Sequence, residues 1–314
     1  MCLIGLALDA SRRFPLVVAA NRDELFDRPA SRLAWWSPEG GGPAILSGRD
    51  QLAGGTWLGL TAEGRLAMVT NVRKPVLQDP DAPSRGAIVA RWLRGDLPAE
   101  RYWPLTAMSG HQPFNLIAAD FRAGDCFWAS SEQACPQRIE RGIVGLSNGS
   151  LDEPWTKVEH LKARMQQGLD AAGSVDDLAA RLFAALADRT PAEDAHLPST
   201  GIGRDRERLL SPAFIRTPDG RYGTRCSTLV ITERVAKRMV THVFERSFTP
   251  GPGLALLRRS TLKDWPPKYQ LAGSNEPDLP AQVEPVAESE LAEAHAEPVR
   301  KRRVRSLLRP AGKV

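Results

Sequence analysis

The sequence is sparing with cysteine and arranges what it has without pattern. Cys2, Cys126, Cys135 and Cys226 are the four thiols in 314 residues. They form no CxxC pair and no framework spacing, which argues against a disulfide scaffold and fits free thiols in a reducing, cytoplasmic compartment. Long apolar runs are missing too. No stretch approaches the roughly 20 residues of a membrane span, so none is expected. The opening MCLIGLAL has no basic n-region and no cleavage site before Asp9, so a secretory signal is not expected either. The five histidines, His111, His160, His196, His242 and His295, show neither HExxH nor paired-ligand spacing, and no metal and no cofactor is expected. Nor is there a basic stripe interleaved with aromatics. The formal charge is +5, and from Leu271 to the end seven acidic residues balance seven basic ones, so the excess lies in the body. There Arg12, Arg49, Arg91, Arg181 and Arg206 are dispersed, and no nucleic-acid partner is expected for the body.

What is present is a globular composition, 42% hydrophobic and 25% charged, with enough chain for a sizeable core. Strand character is expected at Cys2–Leu8, Leu16–Ala20, Ala44–Ser47, Thr56–Leu60 and Arg65–Asn71, broken by glycine-rich turns. The all-apolar Leu16–Ala20 predicts a strand covered on both faces, which requires helices on the sheet. Ala87–Leu93 suits a short helix; Asn115–Asp120, Cys126–Ser130 and Ile143–Leu146 return to strand. Pro154 opens a helix over Trp155–Leu169 with Val158, Leu161 and Met165 on one stripe. Ser174 and Asp177 resemble a capping box for a second helix carrying Leu178, Leu182 and Leu186. Strands at Arg225–Thr232 and Arg238–Phe248 close the domain. Strands, helices, then strands predict a layered α/β or α+β sandwich. From Pro266 to Pro298, Pro, Glu and Ala predominate, followed by a basic cluster at Arg300–Arg305; residues 266–314 are expected to be a disordered tail outside a domain of residues 1–265.

The chemistry centres on Cys2. Once Met1 is removed, one residue carries both a thiol and an α-amine whose ordinary pKa is about 7.7–8.0, so it supplies nucleophile and base without a histidine. Beyond the buried strand come four polar residues, Asn21-Arg22-Asp23-Glu24, whose charges need partners or a site. Together with Met-Cys at the start, AANRDE at Ala19–Glu24, RPA at Arg28–Ala30, SGRD at Ser47–Asp50, GGTWLG at Gly54–Gly59, TNVR at Thr70–Arg73, LSNGSLDEPW at Leu146–Trp155 and YGTRCST at Tyr222–Thr228, the chain resembles the NRDE family, which includes the transport and Golgi organisation proteins. The resemblance covers residues 1 to about 265.

It implies an α+β fold, the four-layer αββα sandwich of N-terminal-nucleophile hydrolases, related to choloylglycine-hydrolase and ceramidase-like amidases. It also implies roles: Cys2 as nucleophile, Arg22 and Asp23 as the positioning pair, Asn71 and Asn148 as polarising donors, and Arg225 as a late arginine completing the site. In the amidases two residues usually separate the first Arg from the Asp; here they are adjacent. On one strand they face opposite sides, so unless the chain turns only one faces Cys2. Asp23 is the expected one, with Arg22 bound to a carboxylate such as Glu24 or Asp50. The implied activity is cleavage of a linear amide or thioester through an acyl-Cys2 intermediate. The alternative is a non-catalytic carrier or chaperone for haem or an acyl lipid in the same cavity. The partner is then a small amide, acyl or haem-like molecule.

Two motifs compete. Gly145-Leu-Ser-Asn-Gly149 matches the GxSxG nucleophile elbow, but Ser150–Pro154 separates it from the next helix, whereas the elbow needs one directly after it. Gly201-Ile-Gly203 lacks the third glycine and the strand of a dinucleotide fingerprint. Trp35, Trp36 and Trp57 flank the expected site, as core or as a ligand-facing wall.

Overall fold

The computed structural model describes residues 2–75, 79–250 and 255–267. Nearly all of the expected tail therefore lies outside the described residues. Among the described residues, thirteen strands form two antiparallel sheets. The first has the order β10 (Gly142–Leu146), β1 (Cys2–Leu8), β2 (Leu16–Leu25), β11 (Tyr222–Val235), β12 (Arg238–Ser247), β13 (Leu256–Lys263). The second runs β3 (Ala30–Trp36), β4 (Ile45–Asp50), β5 (Leu58–Thr61), β6 (Arg65–Asn71), β7 (Phe114–Asp120), β8 (Asp125–Ser130), β9 (Gln137–Arg138).

Strand alternation sorts the apolar residues into three cores. Ile4, Leu6, Leu16, Val18 and Leu146 of the first sheet meet Leu46, Leu60, Leu66 and Met68 of the second. The odd residues Leu3, Val17 and Ala19 face the opposite way, onto Val158, Leu161 and Met165 of α3 (Thr156–Ala171) and Leu178 and Leu182 of α4 (Val175–Leu186). Ala67, Leu116 and Ala118 pack under α1 (Gly86–Arg94) and α2 (Ala99–Ala107). The result is helix, sheet, sheet, helix: a four-layer αββα sandwich. Burying both faces of β2 explains why Leu16–Ala20 is apolar throughout.

Local chemistry sets the helical layer on the first sheet. The Ser174 hydroxyl accepts the Asp177 N–H at 3.1 Å and the Asp177 carboxylate accepts the Gly173 N–H at 3.1 Å, closing the box ahead of α4. Gly5 and Gly145 pair across the ladder. A Cβ on either would run into α3, at Met165 and Val158 respectively, so both must be glycine for the helix to sit this close.

The structure departs from the sequence reading at several elements. β2 continues five residues past Ala20 and carries the whole NRDE block inside the strand. β3, α2, β13 and the short α5 (Arg204–Leu209) were not expected. β11 opens at Tyr222, and Arg225 falls in a bulge between Thr224 and Cys226 rather than at the strand start.

Candidate active site

Asn21-Arg22-Asp23-Glu24 alternate between two layers. Asn21, on the helical side, is fully engaged: its amide donates to Leu186 O and Ala213 O, both at 2.8 Å, and accepts the Ser227 hydroxyl at 2.6 Å. It ties β2 to α4 and to the segment before β11. Arg22 takes the other face. It pairs across the ladder with Cys2 on one side and Cys226 on the other, and all three share the face turned to the second sheet. The guanidinium lies 4.3 Å from the Trp57 ring and 3.3 Å from Asp50, with Glu24 at 4.0 Å. It is 6% exposed, and among the described residues its Nη1 finds no hydrogen-bond partner.

The expected pairing of Arg22 with Asp50 and Glu24 is therefore present, but the expectation that Asp23 alone faces Cys2 is overturned. The chain does not turn at this point, and parity gives the thiol's face to Arg22. Asp23 belongs to the helical side, where its carboxylate accepts the Thr224 hydroxyl at 2.6 Å and its carbonyl accepts the Tyr222 hydroxyl at 3.1 Å. Its charge still acts on Cys2, opposing ionisation of the thiol. The Asp23 N–H also donates to the sulfur.

The turn after β10 bridges the two sheets beside Cys2. Asn148 is fully buried; its amide donates to Asn71 O at 2.8 Å, and its carbonyl accepts the Arg73 N–H at 2.7 Å. The Asn115 amide holds Gly149 O at 2.8 Å from the second sheet. Asn71 is half-buried at the end of β6; by alternation it shares the face of Ala67 and Val69, towards α1. Its carbonyl, not its amide, meets Asn148. Arg225 is not drawn to Cys2: the bulge aims its guanidinium at Leu25 O and Arg28 O, 5.4 Å from the Phe26 ring. Ser147 donates to Cys2 O at 3.0 Å and is followed by a turn, with α3 beginning at Thr156, so the elbow geometry is absent.

Several site residues escaped the sequence reading. Lys157, on α3 and 5% exposed, donates to Leu210 O at 2.9 Å. Arg73 pairs with Glu207 at 2.6 Å, both buried, and lies 4.7 Å from the Trp155 ring. Glu207 Oε1 accepts the Thr200 N–H and hydroxyl at 3.0 and 2.6 Å. Arg85 stands just before α1, the helix that packs on the second sheet, and Cys2 is foremost among the charges acting on it. Arg73 stood inside the TNVR match; Lys157, Arg85 and Glu207 carry no motif, and only the fold collects them.

Burial pushes the Cys2 thiol up; Asp23 adds to the rise and Arg22 counters it. Burial likewise raises Asp23, against Lys157, the Thr224 hydroxyl and Arg73. Burial, with Arg73 adding to it, brings Lys157 down to about 8. Asp50 goes the other way: burial would raise it, but the Arg28 hydrogen bond and the Ala53 N–H hold it below the usual carboxylate range. Cys226, beyond Arg22 on the same ladder row, is pushed well above a normal thiol by burial and by Glu245. A cavity of about 720 Å³ lies between α3 and α4 with Lys157, His160 and Arg164 in its lining, and Cys2 is not part of it.

A cysteine opening an inner strand of an αββα sandwich, with an arginine across the ladder and a carboxylate next to it in sequence, fits the N-terminal-nucleophile hydrolase type of fold that the layer order defines. The chain belongs to the Transport and Golgi organisation 2 family, whose profile matches residues 1–250. It is 34% identical over 255 residues to the Transport and Golgi organization protein 2 homolog of Bos taurus, covering 74% of this chain and 89% of the relative. The Homo sapiens homolog is 32% identical over 253 residues, with the same coverage. The Drosophila melanogaster protein is 25% identical over 295 residues, covering 79% and 93%. Among solved structures, the Caenorhabditis elegans N-acylethanolamine-hydrolyzing acid amidase ortholog overlaps with a TM-score of 0.43 at 8% identity, covering 73% of this chain and 92% of that one. A variant of the conjugated bile acid hydrolase from Clostridium perfringens gives 0.44 at 9%, covering 87% and 100%. The layer order, not these overlaps, defines the class. No helix among the described residues is long and apolar enough to cross a membrane.

Proposed function

We propose that the chain is a cysteine amidohydrolase that cleaves a linear amide or thioester after loss of Met1. The observation that carries this reading is Arg22: directly across the ladder from Cys2, buried, and with an Nη1 that finds no hydrogen-bond partner among the described residues. A buried donor of this kind costs stability unless something uses it, and the nearest developing anion is the thiolate.

The two faces of β2 divide the work. From the inter-sheet side, Arg22 stabilises the thiolate. From the helical side, Asp23 orients the α-amine. A carboxylate beside an amine raises its pKa, which would keep the base protonated; Lys157 and Arg73 oppose that by drawing on the same carboxylate. The free amine takes the thiol proton, and the sulfur attacks the carbonyl carbon. As the C–N bond breaks, the ammonium returns that proton to the leaving amine. Water then hydrolyses the thioester, the α-amine again accepting a proton. Asn148 is the donor for the oxyanion: one N–H of its amide holds Asn71 O, and an amide has two. A single well-aimed donor contributes about 2.7–4 kcal/mol to the transition state.

Intact mass of the purified chain should show Met1 removed. Incubation with a 4-nitrophenyl acyl ester followed by peptide mapping should place the acyl group on Cys2, and Cys2→Ala should abolish it while Cys226→Ala does not. Quantitative retention of Met1, or an acyl group carried by Cys226, overturns the proposal.

A further inference from the structure

Three side-chain cations act on the Cys2 thiol: Arg22, Lys157 and Arg85. Two of them are already answered within the protein. Arg22 has Asp50 at 3.3 Å. Lys157 has Leu210 O at 2.9 Å and the fields of Asp23 and Glu207. Neighbouring Arg73 has Glu207. Arg85 differs. Among the described residues it forms no ion pair, and its one hydrogen bond runs from Nη1 to Pro113 O at 3.3 Å, beyond the usual range for N–H···O.

Its position is fixed all the same. The Gly86 carbonyl accepts the Thr56 N–H at 3.2 Å, and Gly55 lies so close to the Gly86 backbone that a Cβ would not fit. That contact clamps the start of α1 to the loop carrying Trp57, the ring beneath Arg22. On the other side, Pro113 precedes Phe114, the ladder partner of Asn71. Arg85 is thus held at the rim of the Cys2 site between the platform of Arg22 and the end of β6. A half-buried guanidinium without an ion pair is costly, and among the described residues Arg85 has the field of Glu24 but no carboxylate within ion-pair distance.

We infer that Arg85 anchors a carboxylate on the substrate, so that the acyl amide taken by this site is an anionic one. The inference rests on the hydrolase reading. A guanidinium presents paired N–H groups that match a carboxylate. A neutral analogue would leave Arg85 unanswered, so the anchor selects as well as binds. Arg85 touches the substrate rather than the reacting atoms, and its effect belongs to discrimination.

The test uses the full chain with two matched probes: glutaryl-4-nitroanilide against its methyl ester, and 4-(butanoylamino)benzoate against its methyl ester. The first pair places the charge on the acyl side, the second on the amine side. In at least one pair the acid should exceed the ester in kcat/KM by about 10- to 100-fold, the scale of a hydrogen bond to a charged group. That ratio should collapse towards 1 in Arg85→Gln, while Arg85→Lys, which keeps a charge at the same helix start, retains part of it. Ratios near 1 in the native chain, or a ratio unchanged in Arg85→Gln, overturn the inference. Absence of turnover counts against the hydrolase reading instead. In that case calorimetric titration of the same acids and esters into Cys2→Ala decides: tighter binding of an acid, lost with Arg85→Gln, sustains the anchor. Equal or undetectable binding ends it.

Discussion

Glu207→Gln should destabilise the protein by about 3–5 kcal/mol, although it changes one oxygen to nitrogen. The side chain sits on α5, in the segment between α4 and β11, and is 3% exposed. One carboxylate oxygen meets Arg73 at 2.6 Å; the other accepts both the N–H and the hydroxyl of Thr200. Glutamine can keep the Thr200 contacts, so the loss isolates the charge. What remains is a buried Arg73 with no carboxylate, and breaking one side of such a pair costs about 3–5 kcal/mol because the survivor is uncompensated. For a domain of this size that lowers Tm by roughly 6–20 °C. Arg73→Met should cost a similar amount by stranding Glu207. The double variant carries neither charge and keeps the Thr200 contacts. It should be more stable than either single variant, with a coupling of about 3 kcal/mol. Urea denaturation followed by tryptophan fluorescence gives all four stabilities. Costs that add within about 0.5 kcal/mol would show that the two charges do not depend on one another, and the picture of a buried latch between the two segments would fail.

Two further outcomes follow from the same layer. Asn21→Ala removes three hydrogen bonds and leaves two carbonyls and a hydroxyl unsatisfied in a dry interior, so a loss of about 3–5 kcal/mol is expected in the same denaturation assay; a loss under about 1 kcal/mol would mean water replaces the amide. Lys157 titrates near 8 in the fold against 10.5 when exposed. Between those values the unfolded chain binds the extra proton, so this residue makes stability rise with pH there, by roughly 3 kcal/mol in all. Below about 8 its cost is fully present. Lys157→Met should remove that rise, so the native-minus-variant difference grows from pH 8 to 10.5; parallel pH curves would place the native lysine outside the buried cluster.

The layers were legible because burial writes directly into sequence. An apolar block such as Leu16–Ala20 can only be a strand covered twice, and the Val158, Leu161, Met165 stripe can only be one face of a helix. The extension of β2 through Asn21–Leu25 was not legible, since polar residues inside a strand look like its end. Here each has a partner: Leu186 and Ala213 for Asn21, Asp50 of the other sheet for Arg22, and Thr224 on the neighbouring strand for Asp23. The site was half legible. Cys2, Arg22, Asp23 and Asn148 come together, but Arg225 is diverted because a bulge cannot be seen in composition. Lys157, Arg85 and Glu207 arrive from segments far apart in sequence. Their significance lies in distance, which a linear pattern does not encode.

The alternation along β2 makes the NRDE block a counted object. Asn21 and Asp23 serve the helical layer, Arg22 and Glu24 the space between the sheets, and each letter has its own audience. Deleting one residue ahead of Asn21 would bring a guanidinium to the backbone carbonyls of Leu186 and Ala213 and a carboxylate onto Trp57; inserting one would lay an amide on Trp57 and leave those carbonyls facing an alanine. No compensating single substitution could repair that, because all four addresses would be wrong at once. Such a segment can drift in identity one position at a time, yet it is intolerant of any change in length.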